Sequence, residues 1–78
     1  MAVLAREGHV GEAVKQLQTM LNHLGAVPPL VVDGIFGPKT RTETVRFQRL
    51  ASLVQDGIVG PITAKALMAA SLRKLIGC

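Results

Sequence analysis

The sequence predicts an all-α fold, a compact three-helix bundle formed by a single domain over residues 1–78. Three observations predict it. Apolar residues recur at helical spacing in the first third, and an eight-residue phrase that ends in a helix start occurs twice. A third apolar segment then follows the second copy. A chain this short removes only roughly 60% of its unfolded surface from water, so its core must be simple and well packed.

The first helix is read between Gly11 and Gly25, where Val14, Leu17, Leu21 and Leu24 recur at steps of three and four and fall on one stripe. Glu12 suits its positive end. Gly25 can take the left-handed conformation that closes a helix, and Pro28 and Pro29 block resumption. The "LVV" that follows is too short to found a sheet and is read as a short extended or packed segment.

The phrase "DGIFGPKT" spans Asp33 to Thr40, and "DGIVGPIT", Asp56 to Thr63, repeats six of its eight letters 23 positions later. Each letter has a mechanical reading. The aspartate side chain can accept the backbone N–H two residues on, the first glycine can turn with positive φ, and Ile35 or Phe36 enters the core. Proline suits the first helical position, because its missing N–H has no partner there and its φ already fits. Helix two therefore begins near Pro38, with Thr40, Thr44, Phe47 and Ala51 on one face, Leu50 beside them, and Val45 toward solvent. Helix three begins at Pro61. Its apolar residues Ile62, Ala66, Leu67, Ala70, Leu72 and Leu75 spread around much of the circumference, so it is expected to be the most buried. "LQ" at Leu17 and Gln18 is echoed by "FQ" at Phe47 and Gln48, so the chain reads as two imperfect helix–loop–turn units and a closing helix.

Composition narrows the function. With 49% hydrophobic and 18% charged residues the chain reads as globular. Two phenylalanines and no Trp or Tyr argue against stacking on sugars or nucleobases. A formal charge of +4 favours polyanionic partners without choosing among them. Cys78 is the single cysteine, which excludes an internal disulfide and a Cys-based metal site. No apolar run approaches a membrane span, and "MAVLAREGHV" lacks the core of a signal peptide.

The inventory does not support catalysis. His9 and His23 lack zinc-protease spacing, and Ser52 and Ser71 lack a nucleophile-elbow setting. Each D-G turn offers one carboxylate where calcium needs six or more oxygens, so no metal is expected, and no cofactor. The paired glycines lack the lysine and spacing of a phosphate-binding loop and read as turn formers. Gln18 and Gln48, at the core margin, are expected to satisfy loop backbone groups. Arg41, Arg46 and Arg49 on helix two read either as a solvated face or as cations able to grip a carboxylate.

A helix bearing V-x-x-L-Q, then D-G-x-F-G-x-x-T, then F-Q, then D-G-x-x-G-x-x-T closely resembles the peptidoglycan-binding domain of bacterial and phage cell-wall enzymes. Here those residues are Val14, Leu17, Gln18, Asp33 to Thr40, Phe47, Gln48 and Asp56 to Thr63, and the resemblance covers roughly residues 8 to 70. It implies a compact three-helix bundle. It also implies a non-catalytic module that targets a cell-wall hydrolase or related protein to peptidoglycan in the bacterial envelope, through contact with the peptide stem. The ligand contacts that follow are Asp33, Phe36, Arg41 and Gln48, which border the first turn and carry donors or apolar surface. The chain departs from the family pattern at three places. Glu43 and Thr44 replace a small residue and an aliphatic, Ser52 replaces a common glycine, and helix three lacks a tryptophan. Two alternatives stand beside this reading. One is a small basic nucleic-acid binder that presents Arg41, Arg46 and Arg49. The other is a prodomain-like inhibitory module using Cys78, although "LIGC" lacks the residues that flank such a switch.

Overall fold

Three helices in a computed structural model that describes residues 3–75 match the expected order: α1 (Glu12–His23), α2 (Pro38–Leu50) and α3 (Pro61–Leu75). Cys78 and the side chain of Leu75 lie outside the described residues. α1 is the central element and packs against both α2 and α3. Its stripe of Val14, Leu17 and Leu21 is buried together with Ala26, Leu30, Phe36, Val59, Ala64 and Leu67, and Met20, Leu24 and Phe47 lean against that cluster.

Helix ends follow from local chemistry. α1 closes with Gly25 at φ 99°, its N–H donating to Asn22 O at 3.1 Å while Ala26 N–H donates to Leu21 O at 3.1 Å. This pair of bonds is the Schellman arrangement, which satisfies carbonyls the helix leaves open. α2 closes in the same way. Ser52 N–H donates to Arg49 O at 3.1 Å and Leu53 N–H to Gln48 O at 2.8 Å. Pro38 and Pro61 open α2 and α3, as their fixed φ suits.

An element the sequence pattern did not reveal binds the turns together. Residues 4–11 run as an arm along both copies of the repeated phrase, broken by a turn at Glu7 and Gly8 in which His9 N–H donates to Arg6 O at 3.0 Å. Leu4 N–H donates to Val59 O at 2.8 Å and Val59 N–H returns a bond to Ala5 O at 2.8 Å. Further along, Gly8 N–H donates to Phe36 O, Phe36 N–H to His9 O and Gly11 N–H to Gly34 O, all at 2.9 Å. Both contacts are isolated antiparallel bridges, at Ala5–Val59 and Val10–Ile35, and no strand forms among the described residues.

Three expectations about burial are corrected. Leu50 is 68% exposed, because the buried stripe of α2 is Thr40, Thr44 and Gln48, one turn apart, and its direction carries Leu50 outward. Val45 is half-buried rather than fully solvent-facing. α3 is not the most buried helix. It contributes Ala64 and Leu67 to the core, while Ile62, Met68 and Leu72 are exposed, since a bundle of three helices covers only one side of each. Of the two candidates Ile35 and Phe36, Phe36 enters the core and Ile35 stays at the surface.

Candidate functional site

Each repeated phrase is organised by the glutamine of the preceding helix. Gln18 is buried, and its Oε1 accepts the N–H of Asp33 at 3.1 Å and of Gly34 at 3.0 Å. Its Nε2 donates to Asp33 Oδ1 at 3.1 Å, Ile35 O at 3.0 Å and Thr40 Oγ1 at 3.1 Å. Gln48 does the same at the second copy. Its Oε1 accepts the Gly57 N–H at 2.9 Å, and its Nε2 reaches Asp56 Oδ1 at 3.0 Å, Ile58 O at 3.1 Å and Thr63 Oγ1 at 3.2 Å. A glutamine suits this place because one amide carries both an acceptor and two donors, so it can satisfy both kinds of turn group. The expectation that these glutamines serve loop backbone is met at both sites.

The aspartates close the turns from outside. Asp33 Oδ1 accepts the Ile35 N–H at 2.9 Å and Asp56 Oδ1 the Ile58 N–H at 2.9 Å, the bond two residues on that the sequence implied. The Ile35 N–H, then the Gln18 amide, hold the Asp33 carboxyl below the usual aspartate range, against a smaller opposing effect of desolvation. The Ile58 N–H lowers Asp56 likewise, with desolvation opposing, the Gln48 amide adding to it and Arg41 contributing least. Both side chains are therefore anions with fixed direction at neutral pH. Both lie at the surface.

Against each turn lies an open groove. The first, about 420 Å³, is bordered by Leu30, Val31, Asp33, Ile35, Pro38 and Lys39. The second, about 480 Å³, is bordered by Leu53, Val54, Asp56, Ile58, Pro61 and Ile62, with Val3 of the arm. The backbone frames are the same, but Lys39 in the first stands where Ile62 stands in the second.

The four residues singled out from the sequence separate in space. Asp33 is on the rim of the first groove. Phe36 is 1% exposed and belongs to the core beneath it. Gln48, also 1% exposed, organises the second turn rather than the first, so its link to the first-turn set is corrected: α2 runs away from the turn that starts it. Arg41 is half-exposed and likewise lies toward the second turn. A methyl built on Gly57 would meet its Cγ and Nε at 3.0 Å, and its Nε stands 3.8 Å from Glu7 Oε1 on the arm. Sequence reasoning did not foresee the Thr40 and Thr63 hydroxyls as glutamine partners. Their shared place at the eighth letter of the phrase was the available signal. Among the described residues no group of three or more His, Cys, Asp or Glu comes together to hold a metal ion.

Comparison with known proteins places this arrangement. The family model of the peptidoglycan binding domain matches residues 10–67, which include both glutamines and both phrases. The chain belongs to the peptidoglycan-binding domain family. The matched region is a peptidoglycan-binding module. The domain is 47% identical over 58 residues to the zinc D-Ala-D-Ala carboxypeptidase of Streptomyces albus G, covering 73% of this chain and 23% of that protein. It is 41% identical over 69 residues to a Bacillus licheniformis protein named "Probable N-acetylmuramoyl-L-alanine amidase", covering 87% of this chain and 20% of that one. The chain thus spans about a fifth of the length of these curated relatives. The crystal structure of the SleB N-terminal domain superposes with a TM-score of 0.82 at 34% identity, over 86% of this domain and 90% of that chain. The shared fold is the three-helix bundle.

Proposed function

We propose that this peptidoglycan-binding domain holds a protein at the bacterial cell wall by taking the peptide stem of peptidoglycan in the groove at the first turn. The observation that supports this reading is the pairing of a fixed carboxylate, Asp33, with Lys39 on one shallow, otherwise apolar groove. A stem peptide offers carboxylates, amides and small aliphatic side chains. Lys39 can take a carboxylate by a charge-assisted bond, Asp33 an amide N–H, and Leu30, Val31 and Ile35 the aliphatic groups. Phe36 and Gln48 serve binding indirectly in this reading, by fixing the turns from below. Arg41, half-exposed on α2, is the further cation available to a stem that extends past the first groove.

The work of such a module is local concentration. A tethered hydrolase gains from weak binding because its second encounter with an insoluble substrate is intramolecular. A linked hydrolase as partner and the bacterial envelope as location follow from the same proposal, in keeping with the names of the relatives. Nucleic acid is disfavoured, because Arg46 is paired with Glu43 at 3.2 Å, so the three arginines of α2 do not form one uniformly basic face.

Co-sedimentation of the purified chain with insoluble peptidoglycan tests the proposal. Retention that soluble muropeptides compete away is expected, with little change between low and moderate salt. Absence of retention refutes it, as does a steep salt dependence accompanied by equal retention on DNA.

A further inference from the structure

We propose that the groove at the second turn is a separate subsite of opposite preference, which takes an ammonium group carried on an aliphatic chain. The argument begins with Asp56. Both hydrogen bonds that its carboxylate accepts from the protein, from Ile58 N–H and Gln48 Nε2, fall on Oδ1. Among the described residues Oδ2 has no hydrogen-bond or ion-pair partner, so a carboxylate held by its turn keeps one oxygen unused at an exposed position bordering the groove. Rigid placement matters because a surface ion pair is weak chiefly through the entropy of fixing two mobile side chains, and here one is already fixed.

The walls supply the second half of the match. Val3, Leu53, Val54, Ile58, Pro61 and Ile62 line the groove, and Val54 and Ile62 are 78% and 68% exposed. An alkyl chain lying on that surface, with its charged end at the rim, has the arrangement in which lysine side chains normally cover apolar surface. A hydrocarbon ligand alone would leave Asp56 desolvated without a partner, and an anion would be repelled by it. A free amine on an alkyl chain satisfies both features.

The first groove does not share this chemistry, although its backbone is the same. Lys39 brings a like charge to the rim where the second groove has Ile62. Arg41 is the cation nearest the second turn: it pairs with Glu7 at 3.8 Å, and of the groups that act on the Asp56 carboxyl it contributes least. Duplicated frames that differ by one cation therefore read as two subsites, one for the carboxylate side of a ligand and one for its amine side. The identity of that amine as the side-chain amine of a diamino acid in a wall peptide rests on the function proposed above. The subsite itself does not.

The test uses n-pentylammonium chloride as the probe, titrated into the isotope-labelled full chain, with 1-pentanol and pentanoate as matched neutral and anionic probes. Amide signals of Gly57, Ile58 and Ile62 are expected to shift saturably with the ammonium and at least fivefold more weakly with the other two. Asp56→Asn keeps the Oδ1 acceptor that the turn needs and removes the charge, and it should weaken pentylammonium binding at least fivefold. Ile62→Lys, at an exposed position, should do the same by importing the cation of the first groove. Equal response to pentanol, or binding unchanged in both variants, overturns the subsite. A second arm compares retention on native wall and on wall whose free amines have been acetylated. Reduced retention after acetylation supports the wall-amine assignment, and equal retention overturns it. Loss on both walls refutes the proposed function instead, leaving the pentylammonium titration to decide the subsite.

Discussion

Gly25 and Ser52 occupy the same position of the same helix-closing motif, with φ of 99° and 60°. Each follows the last residue of a closing turn, and each N–H donates to the carbonyl three residues back. Glycine enters the left-handed region freely, whereas a side chain there costs about 1–2 kcal/mol. Ser52→Gly removes that strain and returns part of it as unfolded-chain entropy. The variant is expected to be more stable by about 0.5–1 kcal/mol. Urea unfolding checks this, and an equal or lower midpoint would show that the serine is not strained.

The two glutamines make an ordered prediction. Gln18 Oε1 accepts two backbone N–H groups and Gln48 Oε1 accepts one. Replacing either by alanine leaves those N–H groups, buried at Gly34 and Gly57 and part-buried at Asp33, without that partner, at about 1–3 kcal/mol for a buried group and less for the part-buried one. Gln18→Ala should therefore lower stability more than Gln48→Ala, and both should lower it more than an exposed change such as Gln55→Ala. Denaturant midpoints for the three variants decide the order.

Turn glycines differ by what surrounds them. Gly34 and Gly57 have φ of 77° and 71°, so alanine is strained at both. A methyl at Gly34 would also stand 3.1 Å from the Gly11 carbonyl oxygen, which the arm holds in place, whereas at Gly57 the nearest atoms it meets belong to the flexible Arg41 side chain. Gly34→Ala should be the more damaging, by about 1 kcal/mol beyond the shared conformational cost. Paired thermal and urea unfolding of the two variants measures the difference.

These contrasts show what the sequence could and could not convey. Helix periodicity and the two Pro-opened phrases made the order of elements legible, because helices and turns are specified by neighbours in the chain. The turn roles of Asp33, Gly34 and Phe36 were readable for the same reason. The arm at residues 4–11 was not readable, since it is held by backbone bonds to distant turns and needs no particular side-chain pattern. The placement of Gln48 beside the second turn, and of Arg41 against Gly57, depends on the direction of α2 through the bundle. The burial of α2 and α3 failed for a related reason. Hydrophobicity marks which residues can be buried, but a small bundle has too little interior for all of them, so Ile62, Leu72 and Leu50 remain outside while Thr44 and Gln48 go in.

Acid should weaken the fold through both aspartates. Their carboxyls are held below the usual aspartate range in the folded chain. A depressed folded value means that the contribution is fully present above the unfolded value, about pH 4, and is lost as pH falls from there through the folded value. The midpoint of urea unfolding should decline across that acid window in the parent chain. In a double Asp33→Asn, Asp56→Asn variant, which keeps the Oδ1 acceptors, the decline should be shallower. Parallel profiles would assign acid sensitivity to other carboxylates.

The substitution that separates the grooves is Lys39→Ile, which writes the residue of the second copy into the first. Lys39 is exposed and forms no ion pair among the described residues, so the change should leave the unfolding midpoint within about 0.5 kcal/mol of the parent. If the first groove takes a stem carboxylate, losing the cation removes a charge-assisted hydrogen bond, worth about 1.5–3 kcal/mol where it is well formed. Retention on peptidoglycan should then fall by about tenfold or more. Lys65→Ile, on α3 and outside both grooves, removes the same net charge and should leave retention within twofold. Equal losses in the two variants would mean that wall binding senses overall charge rather than the first groove.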